Sequence, residues 1–365
     1  MKLLCDARAL LENIDGIGRY SVGILRGLSR VRPDWDLTVL CGPGGERHLA
    51  GLGLETLSSS VPRFRKAEER ELRPFIEGSG ADAYLNFSMA GPRPALPSMI
   101  TVHDLMVLNL PSYFGSSLLR NILARRIFRR VLSRSVAHAS AISVPSAASL
   151  KELTATFPDA EGRAFVSGEG QDLFPPDHEP PESSSREDFL LYIGNALAYK
   201  NLSRLIVAYG RLRAMNPAYP AMTMVVRKDR AFGNFMKELG DCTASGSVKV
   251  LSHVDDSELR ELYSSAMGLV MPSLQEGFGL PALEAMAAGA PVVCSAGTAL
   301  EELVGDAGIL VEPDSVIEIM RGMALLAADA ELRVQLSANA VIRAGLFTWN
   351  RAAEAVAGRL EVITS

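Results

Sequence analysis

Short apolar runs alternate along the chain with longer stretches in which apolar positions recur at helical spacing. Residues 2–7, 37–41, 82–87, 99–102, 141–144 and 165–170 read as one set of strands. Residues 189–194, 222–226, 248–250, 267–271, 291–294 and 308–311 read as a second set. Helical patterns lie between them. Tyr20, Ile24, Leu25 and Leu28 share one face, Ser146 caps a helix, and others start near Leu202, Asp256, Val316, Glu331 and Arg351. Strand and helix in regular alternation predict α/β architecture with two doubly wound sheets. A Pro-, Ser- and acid-rich stretch marks an exposed linker, so the expected division is 1–172, a linker 173–188, 189–346 and a last helix 347–365. The mixed charges of 63–73 predict a solvated helical face.

At 365 residues the chain is long enough for two cores. Its formal net charge of −5 argues against a nucleic-acid binder. Cys5, Cys41, Cys242 and Cys294 lack metal-type spacing, and Cys5, Cys41 and Cys294 lie in or beside apolar runs. Buried free thiols and a reducing cytoplasm are expected. No apolar run is long enough to span a bilayer, and the first residues read as a strand rather than a signal segment. One local asymmetry stands out: 112–151 contains no acid but holds Arg120, Arg125, Arg126, Arg129, Arg130 and Arg134 among apolar residues. Such a helix can lie on an anionic membrane surface, bind an anionic acceptor, or be an ordinary solvated helix packed on its apolar side.

The densest chemistry lies in 273–289. Pro272 stops a strand, Gly277 and Gly279 open a loop, Pro281 fits a helix start, and Gly289 can close the helix. Loops at the carboxyl ends of parallel strands gather ligands, glycines admit a close backbone, and helix N–H groups favour phosphate. Glu276 and Glu284 fit there as acceptors for sugar hydroxyls. Taken singly, each reads as a solvated loop residue or a complement to the helix dipole. A strand–glycine loop–helix unit recurs at Asp15-Gly16-Ile17-Gly18-Arg19-Tyr20, where Ser21 breaks the dinucleotide fingerprint and weakens any dehydrogenase reading. His103-Asp104 ends a strand, either as a ligand group or as a satisfied turn. Lys200, between a strand and a helix, is placed to neutralise a phosphate, although a surface lysine is the commoner case.

The run Glu-Gly-Phe-Gly-Leu-Pro-Ala-Leu-Glu-Ala-Met-Ala, from Glu276 through Glu284, resembles the signature of GT4-type retaining glycosyltransferases of the GT-B fold. Gly-Ile-Gly-Arg-Tyr and Thr-Val-His-Asp-Leu resemble further segments of that family. The resemblance implies two Rossmann-like domains facing across a cleft, the first on the acceptor side and the second holding the donor. It implies that the last helix crosses back to the first domain. It assigns Glu276, His103 and Lys200 to catalysis: Glu276 holds hydroxyls of the transferred sugar, His103 faces that sugar, and Lys200 balances the diphosphate. Backbone amides around Gly277, Phe278, Gly279 and Leu280 hold sugar and phosphate, and Glu284 takes the ribose hydroxyls. Gly16 and Gly18 approach the diphosphate from the opposite domain. Asn195 departs from the pattern, since many relatives carry arginine there. Lys200 then acts with less help, or Arg227 or Lys228 supplies the second charge.

No Asp-x-Asp pair stands at a strand end, so metal-independent transfer without a cofactor is expected. The implied activity moves a hexose, with a lean to mannose, from a nucleoside-diphosphate sugar to a glycan or lipid-linked acceptor in cell-surface polysaccharide assembly. The expected place is the cytoplasm, peripheral on the inner membrane face if the basic helix binds lipid. A nucleotide-sugar epimerase, a sugar phosphorylase and a non-catalytic binding subunit remain alternatives on this fold.

Overall fold

The computed structural model describes residues 1–12, 14–110, 113, 118–175, 177–182, 185–244 and 246–365, except for the side chains of 241–244. It divides into two compact units, Met1–Gly170 with Phe347–Ser365, and Gln171–Leu346. The first holds β1 (Lys2–Ala7), β2 (Asp36–Cys41), β3 (Glu55–Ser58), β4 (Ala83–Asn86), β5 (Ser98–Thr101), β6 (Ala141–Val144) and β7 (Ala164–Val166). They form a parallel sheet in the order β3-β2-β1-β4-β5-β6-β7. The second unit holds β8 (Phe189–Asn195), β9 (Ala221–Arg227), β10 (Val248–Leu251), β11 (Gly268–Met271), β12 (Val292–Ser295) and β13 (Gly308–Val311). Their order, β10-β9-β8-β11-β12-β13, is again parallel.

Both sheets reverse direction of winding beside their first strand, between β1 and β4 and between β8 and β11. The loops leaving such neighbours diverge to opposite faces and leave a crevice at the carboxyl edge. The strands are apolar because helices cover both faces. In the second unit Leu190, Tyr192, Met224 and Val226 pack with Leu205 and Tyr209 of helix Leu202–Met215 and with Ile319 and Met323 of helix Val316–Ala328. Each such side chain, fully buried, contributes about 1.5–3 kcal/mol.

Helix Trp349–Thr364 belongs to the first unit and lies on helix Gly16–Val31. Two glycines set how close it comes. A Cβ at Gly23 would stand 2.2 Å from the Trp349 ring, and one at Gly27 2.5 Å from the Trp349 carbonyl oxygen. The contact buries Trp349, Ala352, Ala353, Val356, Ala357 and Leu360. The Arg32–Glu361 pair at its rim, 2.8 Å long, is solvent-exposed and adds little.

Three segments differ from expectation. β3 has no apolar signature because it is a polar edge strand with mostly exposed side chains. Within 63–73, the face expected to be solvated contains Glu68, which is buried and paired with Arg8 at 2.7 Å. Charge pattern alone cannot distinguish a buried, paired carboxylate from a solvated one. Within 173–188, expected to be an exposed linker, Leu173 and Phe174 are buried and Arg186 is half-buried. Arg186 Nη1 donates to the carbonyls of Tyr263, Ser264 and Ala266, capping the end of helix Asp256–Ser265. The Phe174 ring meets that of Tyr263 edge-on, centroids 6.3 Å apart.

The basic stretch forms helix Leu118–His138, but its apolar residues are not all packed inward. Leu132 and Val136 are buried, whereas Leu118, Leu119, Ile122, Leu123 and Ile127 are exposed. They share the solvent side with Arg126, Arg129, Arg130 and Arg134. Cys5, Cys41 and Cys294 are buried free thiols, and the side chain of Cys242 lies outside the described residues.

Candidate active site

In the second unit the loops after β8 and β11 meet at the winding reversal. The first carries Lys200, in a short turn of 3₁₀ helix before helix Leu202–Met215. The second carries Glu276. Lys200 Nζ donates to Glu276 Oε1 at 2.6 Å, and each side chain is only 8% exposed. The Lys200 ammonium also stands 5.3 Å from the centroid of the Tyr199 ring. Beyond that contact, each member of the pair has this single bond among the described residues. An ammonium has three donor hydrogens and a carboxylate about four acceptor positions, so both keep most of their bonding capacity.

Glu276 is held at this place by the backbone around it. The Leu274 amide donates to the Tyr199 carbonyl at 2.7 Å, tying the two loops together. Gly279, at φ +113°, caps helix Leu280–Ala287, with Pro281 in its first turn. A Cβ at Gly279 would also lie 2.4 Å from Leu300 Cδ2, so both backbone and space require glycine. Gly277, Phe278 and Leu280 thus run into a helix start, where the dipole is positive. Ser273 Oγ, earlier in the loop, is fully buried without a partner among the described residues, an unmet polar demand.

Glu284 lies one turn into that helix and is buried. Tyr263 Oη donates to its Oε2 at 2.7 Å, which fixes the carboxylate. Tyr263 carries no sequence signal beyond an apolar helix position. Asn195 is engaged locally: its Nδ2 donates to Tyr199 Oη and its Oδ1 accepts from the Leu197 amide. Arg227 pairs with Asn195 across the β8–β9 ladder. Residues in parallel register share a face, so the exposed Arg227 projects on the Asn195 side at the sheet edge. Lys228, also exposed, follows the strand end.

Gly16, Gly18 and His103 belong to the first unit. The Gly18 amide donates to Asp15 Oδ1 at 3.0 Å, so this helix start is capped by a carboxylate. A Cβ at Gly18 would meet Ile14 at 2.8 Å, whereas Gly16 has open space. His103 is half-buried after β5, with Nε2 3.1 Å from the Phe87 carbonyl. A carbonyl can only accept, so Nε2 carries the proton and Nδ1 keeps its lone pair. Burial lowers the His103 pKa to about 4, so the ring is neutral near pH 7. The Tyr20 ring braces it edge-on, centroids 4.8 Å apart, while Tyr20 Oη lies 3.2 Å from both Ser143 Oγ and Ser167 Oγ.

Two other ionisable features sit near this carboxyl edge. Arg8 Nε and Nη2 donate to both oxygens of Asp6, Nη2 also to Glu68 Oε1, and Nη1 to the Val61 carbonyl. Tyr84 Oη adds a bond to Asp6 Oδ2 at 2.7 Å. Glu169, after β7, is buried without a hydrogen bond among the described residues, and desolvation raises its pKa to about 8.

Residues 174–343 match the family model described as glycosyl transferases group 1. Over 96% of this chain and 96% of the relative, the sequence is 27% identical to O-antigen chain mannosyltransferase B of Escherichia coli. Among solved structures, WaaG, a glycosyltransferase involved in lipopolysaccharide biosynthesis, superposes with a TM-score of 0.76 over 100% of both chains at 17% identity. Anabaena HepE in complex with UDP and glucose gives 0.70 over 99% of both at 19% identity. Two doubly wound parallel sheets and these likenesses agree: residues 174–343 belong to the group 1 glycosyl transferases, and the chain has the two-sheet GT-B fold.

Proposed function

We propose that this glycosyltransferase moves mannose, with retention, from a nucleoside-diphosphate sugar to a glycan or lipid-linked acceptor in cell-surface polysaccharide assembly. The observation that carries the reading is the Lys200–Glu276 pair at the head of helix Leu280–Ala287. A cation, a carboxylate and a positive helix end together suit a sugar joined to phosphate. Lys200 balances the diphosphate, and Glu276 accepts hydrogen bonds from the sugar hydroxyls. Amides of Gly277, Phe278, Gly279 and Leu280 meet sugar and phosphate. Glu284, held by Tyr263, accepts from the ribose, and Arg227 supplies the charge that Asn195 lacks. In the first unit, neutral His103 offers the Nδ1 lone pair to a hydroxyl.

The step makes a diphosphate leaving group, whose growing charge falls on fixed donors that need no reorganisation. Lys200 and the helix start supply that stabilisation, which supports transfer without a metal. The O-antigen mannosyltransferase relative supports mannose and favours transfer over epimerisation or phosphorolysis.

A thermal-shift panel of GDP, UDP, ADP and dTDP with their sugars, with and without EDTA, tests the donor. Selective stabilisation by one base, unchanged by EDTA and weakened in Glu284→Ala, is expected. Absence of any nucleotide shift sinks the proposal.

The exposed apolar and arginine residues of helix Leu118–His138 support a peripheral place on an anionic membrane. Among the described residues no helix is long and apolar enough to cross one. Sedimentation with phosphatidylglycerol vesicles, lost in Leu119→Ser/Leu123→Ser and absent with phosphatidylcholine alone, is the expected result. Equal sedimentation of the double variant removes this helix from the account.

A further inference from the structure

The turn after β3 holds an arrangement that the donor chemistry does not use. Phe64 is a bulky residue at φ +61°, a left-handed conformation it adopts only against steric resistance. The residue is nonetheless 46% exposed. Strain that points a large aromatic toward solvent contributes nothing to the core, and backbone outliers of this kind cluster at ligand sites. The Arg63 guanidinium stands 5.2 Å from the Phe64 ring centroid.

Arg63 itself is half-buried, and among the described residues its guanidinium makes one hydrogen bond and no ion pair. That bond, from Nη2 to Ser88 Oγ at 2.9 Å, fixes the turn to the segment after β4. The preceding residue, Phe87, holds His103 through its carbonyl. The turn therefore sits beside His103, close enough for the charge of Arg63 to act on that ring.

The charges nearby decide what could bind. Asp6, Asp15 and Glu68 face Arg63 together with Arg8, formally three carboxylates against two guanidiniums. These carboxylates oppose a further anion beside Arg63, so a phosphate gains little here. Hydroxyl groups fit better, because they accept from the unused guanidinium donors without bringing a charge. The apolar face of a pyranose presents C–H groups that carry slight positive charge, which match the negative face of an aromatic ring.

We propose that Arg63 and Phe64 form a binding subsite for the acceptor, taking a neutral pyranose with its ring stacked on Phe64 and its hydroxyls on Arg63. The inference rests on the chain being a sugar transferase, since a sugar held in the first unit apart from the nucleotide is the acceptor.

Saturation-transfer NMR tests it with methyl α-D-mannopyranoside, methyl α-D-glucopyranoside, methyl α-D-galactopyranoside and α-D-mannose 1-phosphate as probes. The wild-type protein is expected to bind at least one neutral glycoside. Phe64→Asn, which tolerates the backbone but has no ring, weakens that binding at least tenfold, and Phe64→Tyr leaves it within twofold. Arg63→Gln weakens it as well and stands in if Phe64→Asn misfolds. Nucleotide-induced thermal shifts stay unchanged in these variants, which separates this site from the donor site. Three outcomes overturn the proposal: no neutral glycoside binding to wild type, equal binding in Phe64→Asn and Arg63→Gln, or binding of the phosphorylated sugar alone.

Discussion

Near the winding reversal of each sheet lies a buried ion pair, and the two pairs differ in how completely they are bonded. Arg8 in the first unit makes four side-chain hydrogen bonds, and Asp6 accepts a further one from Tyr84. Almost no capacity is left for a ligand. Lys200 and Glu276 in the second unit share one bond and hold the rest in reserve. Both pairs are buried, so burial does not separate a structural pair from a functional one. Under the proposed function, bonding completeness is what separates them. A saturated network fixes the chain, while an unsaturated buried pair keeps donors and acceptors open to a ligand.

That contrast can be broken by experiment. Lys200→Ala and Glu276→Ala should each lower transfer about a thousandfold or more, a barrier change of about 4 kcal/mol. Circular dichroism of both variants should stay native. Turnover near that of wild type in either one removes the pair from the site. Arg8→Met should do the opposite, stranding two buried carboxylates and destabilising the protein by about 3–5 kcal/mol in denaturant. If Arg8→Met melts no earlier than Lys200→Ala, the saturated pair is not the structural one.

Glu169 sharpens the comparison as a buried acid with neither kind of partner. Its folded pKa, about 8, lies above the ordinary 4.5, so the folded protein keeps a proton that the unfolded chain releases. Stability from this group is full below about pH 4.5 and falls as pH rises through about 8. Glu169→Gln should remove that loss, gaining on the order of a few kcal/mol at pH 8 relative to wild type and nearly nothing at pH 4.5. Urea melts at several pH values check it, and parallel pH profiles for both proteins count against it.

The legible parts of the molecule were those with local causes. Strands buried on both faces read as apolar runs, and the Gly277–Pro281 loop announced a helix start. β3 escaped because an edge strand with exposed Glu55 and Thr56 has no apolar signature. The Lys200–Glu276 contact joins residues far apart in sequence, and no periodicity reports such a meeting. Glu68 and Tyr263 show the same limit. Within their own helices one reads as solvated and the other as core, and only their partners, Arg8 and Glu284, give them other meanings.

Helix Trp349–Thr364 has a consequence for how the protein is made. Synthesis runs from the first unit through the second, yet the residues that complete the first unit are translated only after the second. All the strands of the second unit have been translated while the groove at Gly23 and Gly27 still waits for Trp349. A nascent chain therefore carries an uncovered apolar helix face through the whole synthesis of its other half, a hazard for misassembly that chaperones commonly answer. The unit that begins before the other is finished after it.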